Sequence, residues 1–333
     1  MSAALSVTDL RTAFGGKRDP IRALQGVSFE LNSGETLVLL GESGSGKSVT
    51  IRSIMRLYGK TTDIGGSVRL DGRELMTLPE GEMRKIRGRS IGLVPQDPTG
   101  ALDPLRSIGS QLVEMLRANG MATSRSAAKA RALELLDAVG IPDPKRVARS
   151  RPHQLSGGMR QRAVIAIAVS CEPAVLVADE PTTALDVTIQ AQVLEIFLDL
   201  QRRLGMAMIL VTHDVGVAEE VGGTIGVMYA GRLVEVGPAA AVLASPRHPY
   251  TRGLLESLPR PGIKRGELPV IAGRPPLTGE RIPGCPFSPR CPLAQPECRI
   301  ERPPLILVEE NRLAACPIVG HAAGQDLREK VSA

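Results

Sequence analysis

The sequence has no run of apolar residues long enough to cross a bilayer. Its longest uninterrupted stretch, near Ala163 to Val169, stops far short of the ~20 residues a spanning helix needs. The N-terminus lacks a basic segment followed by an apolar core, so no secretory signal is expected. There is no internal repeat and only one phosphate-type glycine motif. Between Ser48 and Leu155 prolines interrupt the chain and no heptad pattern is sustained, which argues against a long coiled-coil arm. Aromatic residues make up 2% of the chain, and only Phe14 and Phe29 precede the glycine motif. Neither sign of charge dominates: 41 basic and 35 acidic residues leave a formal net charge of +6. That balance is compatible with nucleic acid or an anionic membrane surface and points to neither. The chain is expected in the cytoplasm, with any membrane connection made through a partner.

What is present starts with room for a core. A length of 333 residues, 43% of them hydrophobic, accommodates one large or two ordinary domains. Gly41-Glu42-Ser43-Gly44-Ser45-Gly46-Lys47-Ser48 fits the pattern G-x-x-x-x-G-K-[ST] without a mismatch. Thr36 to Leu40 before it reads as a buried strand. Val49 to Leu57 after it, with Ile51, Ile54, Met55 and Leu57 apolar, reads as a helix. Strand, glycine loop and helix are the setting in which backbone N–H groups and a helix dipole receive a polyanion. Lys47 would reach the β and γ phosphates and Ser48 would offer its hydroxyl to Mg²⁺. Gly41, Ser43, Gly44, Ser45, Gly46 and Val49 complete the expected triphosphate cradle.

Val27 to Asn32 alternates as a half-buried strand, with Phe29 on its apolar face and expected in the core. Phe14 sits in the loop-like Ala13-Phe14-Gly15-Gly16, where stacking on adenine and a plain surface role both stand. Ser67 to Leu70 and Ile91 to Val94 read as strands, the second running into Gln96 and Pro98. From there to about Cys171 the pattern is helical: Ile108, Leu112, Met115 and Leu116 mark one helix, and Leu133, Leu136 and Val139 another. Ala174 to Asp179 reads as a buried parallel strand that delivers a carboxylate at its C-terminal edge, where open α/β sheets bind ligands. Asp179 would hold Mg²⁺ with Ser48, and Glu180 would polarise an attacking water as general base. A helix with Ile189, Val193, Ile196, Phe197, Leu200 and Leu204 on one face follows, then the strand Ala207 to Val211 ending in His213. Thr224 to Tyr229 and Arg232 to Val236, joined by Ala230-Gly231, read as a hairpin.

Leu155-Ser156-Gly157-Gly158-Met159-Arg160-Gln161-Arg162 opens another helix with backbone donors and a serine hydroxyl. Taken with the preceding motifs in order, from about Leu5 to Leu243, it resembles the signature of the ATP-binding cassette (ABC) ATPases. The resemblance implies an α/β P-loop nucleotide-binding domain over residues 1–244. It would have a mainly parallel core sheet, an antiparallel β subdomain and a helical subdomain at about 97–171. It further implies an adenine-stacking role for Phe14 and a nucleotide-sensing, Mg²⁺-proximal role for Gln96, which also faces a transmembrane subunit. His213 would be the switch histidine. Ala184-Leu185-Asp186 would lie at a subunit-communicating loop. Two such domains would face head to tail, each ATP held between one chain's Lys47 loop and the other's Ser156, Gly157, Gly158 and Gln161.

After about Leu243 the composition turns to proline, arginine and cysteine. Ser245 to Arg252 closely resembles the segment that follows the ATPase core in oligopeptide and dipeptide importer ATPases, and 245–333 is expected to be their C-terminal extension. It holds Cys285, Cys291, Cys298 and Cys316, four of the five cysteines; Cys171 stands apart beside a buried strand and reads as core. In a reducing compartment two disulfides are not expected, and a metal site is a better account of the four than free thiols. Their spacings suit zinc ribbons poorly. Four thiolates, three of them in Cys-Pro steps, suit an iron–sulfur cluster, and the resemblance implies a [4Fe–4S] cluster, with zinc as runner-up. Gly222-Gly223 stands where relatives usually carry Asp or Arg and is expected to close a helix with little functional effect.

The expected function is that of the ATP-hydrolysing subunit of a peptide importer on the cytoplasmic face of the membrane. Its partners would be two permease subunits, a second ATPase subunit and, indirectly, an extracytoplasmic binding protein. Nickel or another small solute is the alternative cargo. A soluble ABC ATPase acting on nucleic acid or ribosomes is the rival from another class, and the cysteine-bearing extension does not fit it.

Overall fold

The computed structural model describes residues 3–16, 20–59, 61–183, 185–258 and 269–319. Ala184, and residues 259–268 and 320–333 of the expected extension, lie outside the described residues. The chain divides into two compact units, one of Met1–Ser6, Glu30–Thr36 and Arg69–Val211, the other of Val7–Phe29, Leu37–Val68 and Thr212–Ala333.

In the first unit three parallel strands form the core. Ile91–Val94 pairs with Val175–Asp179, and that strand pairs with Ala207–Thr212. All five residues of Val175–Asp179 and all six of Ala207–Thr212 are buried. Strands covered on both faces read as continuous apolar runs, as these do. The helical insertion comprises Ile108–Ala118, Arg125–Ala138, Pro144–Arg149 and Gly157–Val169, and a long helix spans Val187–Leu204. Ser107, Ser124, Asp143, Ser156 and Asp186 each cap one of these helices by accepting a hydrogen bond from a backbone N–H of its first turn. The inner face of the second helix differs from the expectation: Ala128, Ala132, Leu135 and Leu136 are buried, while Leu133 is half-buried. Small alanines allow close helix approach and do not stand out in a count of bulky apolar residues.

In the second unit Thr36–Leu40 runs parallel to Thr224–Tyr229, with Leu40 opposite Val227. Thr224–Tyr229 turns antiparallel into Arg232–Pro238. The connecting Ala230 and Gly231 both have positive φ, 47° and 76°, the two-residue turn whose twist suits a hairpin. A Cβ at Gly231 would collide with the Ala23 carbonyl oxygen. Past Leu243 the chain returns to the sheet: Arg312–Ala314 pairs antiparallel with Arg232–Pro238, and Ile306–Glu309 pairs with Arg312–Ala314. Residues beyond 245 thus lie in the same compact unit as the phosphate loop. Ile21–Leu31, Leu5–Phe14 and Asp63–Leu70 lie side by side in that order as a separate sheet.

Some local expectations need correction. The helix after the glycine loop spans Lys47–Ile54 rather than starting at Val49, because Gly46, at φ 108°, is its N-cap. Phe14 closes the strand Leu5–Phe14 instead of lying in a loop, and Phe29 is half-buried rather than core. Gly222 ends the helix Val215–Val221 with positive φ, as expected. No helix among the described residues is long and apolar enough to cross a membrane.

Candidate nucleotide site

The phosphate loop leaves the buried strand Thr36–Leu40 at Gly41, where a Cβ would run into the Met228 carbonyl oxygen. Its backbone is braced from within, Ser45 N–H donating to Glu42 O at 3.2 Å, and from the hairpin, Gly231 N–H donating to Ser45 O at 2.8 Å. Lys47 is 4% exposed. Its ammonium donates to the carbonyls of Gly41, at 2.6 Å, and Glu42, at 3.0 Å. An ammonium folded over its own loop is a cation stored where a phosphate would take over those donors. Ser45 Oγ is buried with no hydrogen-bond partner. An orphaned hydroxyl inside a glycine loop is a group that an entering anion could satisfy. Gly46 presents the first turn of Lys47–Ile54, which carries Ser48 and Val49. Phe14 meets Tyr58 edge to face, ring centroids 4.9 Å apart at 81°. His213 lies just past the strand Ala207–Thr212 and is exposed; Asp214 after it caps Val215–Val221.

The first unit assembles the acidic group. Asp179 ends its strand 3% exposed. Glu180 follows with φ of +47°, a left-handed conformation that costs a non-glycine residue about 1–3 kcal/mol. Its backbone N–H donates to Val211 O at 3.0 Å. Its carboxylate accepts from Gln96 Nε2 at 3.1 Å and from Thr183 Oγ1 at 3.0 Å. Gln96 and Glu180, read separately from the sequence, therefore touch. Ser156 caps the helix Gly157–Val169, its Oγ accepting from Met159 N–H at 3.3 Å. Gln161 is 2% exposed, with its amide nitrogen lacking a partner. Asp186 Oδ1 accepts from Ile189 N–H at 2.9 Å.

Cys285, Cys298 and Cys316 are buried and Cys291 is half-buried, all four unpaired with one another as disulfides. Burial, and after it the neighbouring thiols Cys316, Cys298 and Cys291, push the Cys285 thiol up to about 11. Burial likewise raises Cys291 and Cys316. Backbone amides of Phe287, Leu293, and Ile318 with Val319, work against that rise at Cys285, Cys291 and Cys316 respectively. Among the described residues no three His, Cys, Asp or Glu side chains converge as a ligand set for one ion. Cys171 is 5% exposed, as expected of core.

Residues 24–183 match the ABC transporter family, and residues 234–298 match the oligopeptide/dipeptide transporter C-terminal region. A probable peptide ABC transporter ATP-binding protein of Sinorhizobium fredii is 47% identical over 94% of each chain. The chain belongs to the ATP-binding proteins of the peptide ABC transporters. This ABC ATPase is also 48% identical to the dipeptide transport ATP-binding protein DppD of Bacillus subtilis, over 88% of each chain. Among solved structures it resembles the dimeric ATP-binding cassette MJ0796 bound to ADP and phosphate. The TM-score there is 0.63, with 30% identity over 71% of this chain and 98% of that one.

Within each unit, contacts of the expected residues were not legible in advance. Thr183 supports Glu180, Tyr58 backs Phe14, and Arg290 reaches Glu42 inside the phosphate loop. The first two are neighbours of motif residues and could have been suspected. The third joins residues 248 apart in sequence, and no spacing rule anticipates it.

Proposed function

We propose that the chain works as one of a pair of ATPase subunits that drive di- or oligopeptides through a two-subunit permease, from the cytoplasmic face of the membrane. Residues 1–244 are the ATPase domain in this reading and 245–333 its extension. The observation that carries it is the phosphate loop, with Lys47 folded on the Gly41 and Glu42 carbonyls and the Ser45 hydroxyl orphaned. ATP would take the donors of Gly41 to Val49, and Phe14 would face the adenine. Ser48 and Asp179, with Gln96 nearby in role, would hold Mg²⁺. Glu180 would take the proton of the attacking water, released from Gln96 as the amide turns to nucleotide, and His213 would contact the γ phosphate.

The partner ATPase would supply Ser156, Gly157 and Gly158 to close the site, with Gln161, buried behind them, acting only through their helix, and with Asp186 at the seam. A side chain at Gly157 would meet nothing among the described residues, so this helix start has room for a partner's phosphates. Hydrolysis would wait for closure, since only then is the γ phosphate surrounded by donors. The permease would dock on the helical insertion beside Gln96, and an extracytoplasmic binding protein would select the peptide. Cys285, Cys291, Cys298 and Cys316 would hold an iron–sulfur cluster, which would supply a rigid cross-link of the extension.

Two experiments test this. In the reconstituted transporter, Glu180→Gln is expected to keep ATP affinity within about twofold and to lower turnover at least 100-fold, the scale of general-base removal. Turnover at the wild-type rate would remove Glu180 from the chemistry. Anaerobic purification is expected to give a brown chain holding about four irons; a colourless chain with one equivalent of zinc would replace the cluster by zinc.

A further inference from the structure

Glu42 is the first variable residue of the phosphate loop, and all its polar groups are engaged. Its carbonyl accepts from Lys47 Nζ at 3.0 Å. Its N–H donates to Tyr250 Oη at 2.9 Å. Its carboxylate receives both prongs of the Arg290 guanidinium, Nη1 to Oε2 at 2.8 Å and Nη2 to Oε1 at 3.1 Å. Two of these three contacts come from beyond residue 245.

Arg290 itself is saturated. Besides Glu42, Nη1 donates to Tyr229 Oη at 3.3 Å, Nη2 to Ile271 O at 3.4 Å, and Nε to Ala272 O at 3.0 Å. A guanidinium has five N–H donors, and here all five have acceptors. Its side chain is 5% exposed against 26% for Glu42. The charge is thus fixed in a pocket built for it and aimed at one loop residue. The pocket is aromatic: Tyr229 and Tyr250 lie 4.5 Å apart by ring centroids, and Phe287 packs edge-on against both at 5.4 and 5.5 Å. Tyr229 ends the strand paired with the phosphate-loop strand. Phe287 and Arg290 both lie between Cys285 and Cys291. The same short loop therefore carries two of the four thiols and the strut to the nucleotide site.

We propose that Arg290 and Tyr250 are positioning residues of the phosphate loop, which makes the cysteine-bearing extension a working part of the ATP site. They hold Glu42 so that its carbonyl stands where Lys47 rests, and so set the loop's shape before nucleotide arrives. Affinity gained by preorganisation is lost when the brace is cut, even though neither residue touches ATP. A lysine cannot replace Arg290, because one ammonium does not reproduce a two-pronged contact with a carboxylate.

The proposal rests on reading Gly41–Ser48 as the ATP site, and the test separates the two. ATP binding to the full chain with Mg²⁺ is measured by calorimetry, and KM and kcat are measured in the reconstituted transporter. Arg290→Ala is expected to weaken ATP binding about tenfold, roughly 1.4 kcal/mol, and to raise KM more than it lowers kcat. Arg290→Lys should recover only part of this, and Tyr250→Phe should cost about threefold. Glu42→Ala combined with Arg290→Ala should bind no worse than Arg290→Ala alone, since both cut one contact. If Arg290→Ala does not fold, Tyr250→Phe and Glu42→Gln decide the matter. The proposal is overturned if these conservative variants bind ATP like wild type, or if the losses of Glu42→Ala and Arg290→Ala multiply. A wild-type chain that binds no ATP, or a Lys47→Ala chain that binds it undiminished, overturns the site reading instead.

Discussion

Cutting the buried ion pair Arg312–Glu235 should loosen the hairpin Ile306–Glu309/Arg312–Ala314 from the sheet. Glu235 is 0% and Arg312 2% exposed, 2.8 Å apart. The Glu235 carboxylate also accepts from the backbone N–H groups of Arg247, at 2.8 Å, and His248, at 2.9 Å. Arg312 has a second anion, Glu309, at 3.0 Å, and donates to the Ser245 carbonyl. Arg312→Met would strand a carboxylate in the interior, and removing one partner of a buried pair costs about 3–5 kcal/mol. Glu235→Leu would leave Arg312 with Glu309 but orphan two amides, each worth about 1–3 kcal/mol, so its loss should be of similar size. The double replacement removes both charges and leaves only the amides unsatisfied. It should therefore lose about 2–6 kcal/mol, less than the two single losses added. Urea unfolding followed by far-ultraviolet circular dichroism suits a chain without tryptophan. A loss under ~1 kcal/mol for Arg312→Met, or strict additivity in the double variant, would refute the reasoning.

Two other perturbations have signed outcomes. Burial lowers the His248 imidazole to about 4, while its Nδ1 accepts from Tyr250 N–H at 3.0 Å. A depressed folded-state value means the stabilisation is complete above the ordinary histidine value of ~6.5 and is lost as pH falls toward 4, up to about 3 kcal/mol. His248→Asn, which keeps a capping acceptor, should flatten the fall in urea midpoint between pH 6.5 and 4; parallel curves for the two chains would exclude His248 as its source. Gly231→Ala places a side chain at φ 76° against the Ala23 carbonyl oxygen, which should cost at least ~2 kcal/mol. Because Gly231 N–H holds Ser45 O, ATP affinity should fall with stability, and unchanged calorimetric binding would uncouple the hairpin from the loop.

How far the sequence could be read depended on how local each feature is. The strands Thr36–Leu40 and Ile91–Val94 have the expected bounds, because a fully buried strand is a short apolar run bounded by turn residues. The hairpin turn at Ala230-Gly231 was visible because glycine suits the φ of 76° at Gly231, although Ala230 also takes a positive φ, of 47°. The helix at Lys47 starts two residues early because a glycine rather than a polar side chain caps it. Leu133 and Phe29 were misplaced because periodicity gives a stripe and not the neighbour that covers it. The four cysteines could be named from the sequence, but that Cys285, Cys298 and Cys316 are buried and Cys291 half-buried was decided by packing.

By itself the sequence determined the make-up of the glycine loop, the acidic strand end and the serine-capped helix, since each is built from consecutive residues whose local geometry follows from their own types. Only the tertiary structure decided that Gln96 rests on Glu180, 84 residues away, and that Arg290 grips Glu42. A contact between distant residues is chosen by the packing of whole elements and by which buried charge must be matched. Neither choice leaves a period or a spacing in the chain.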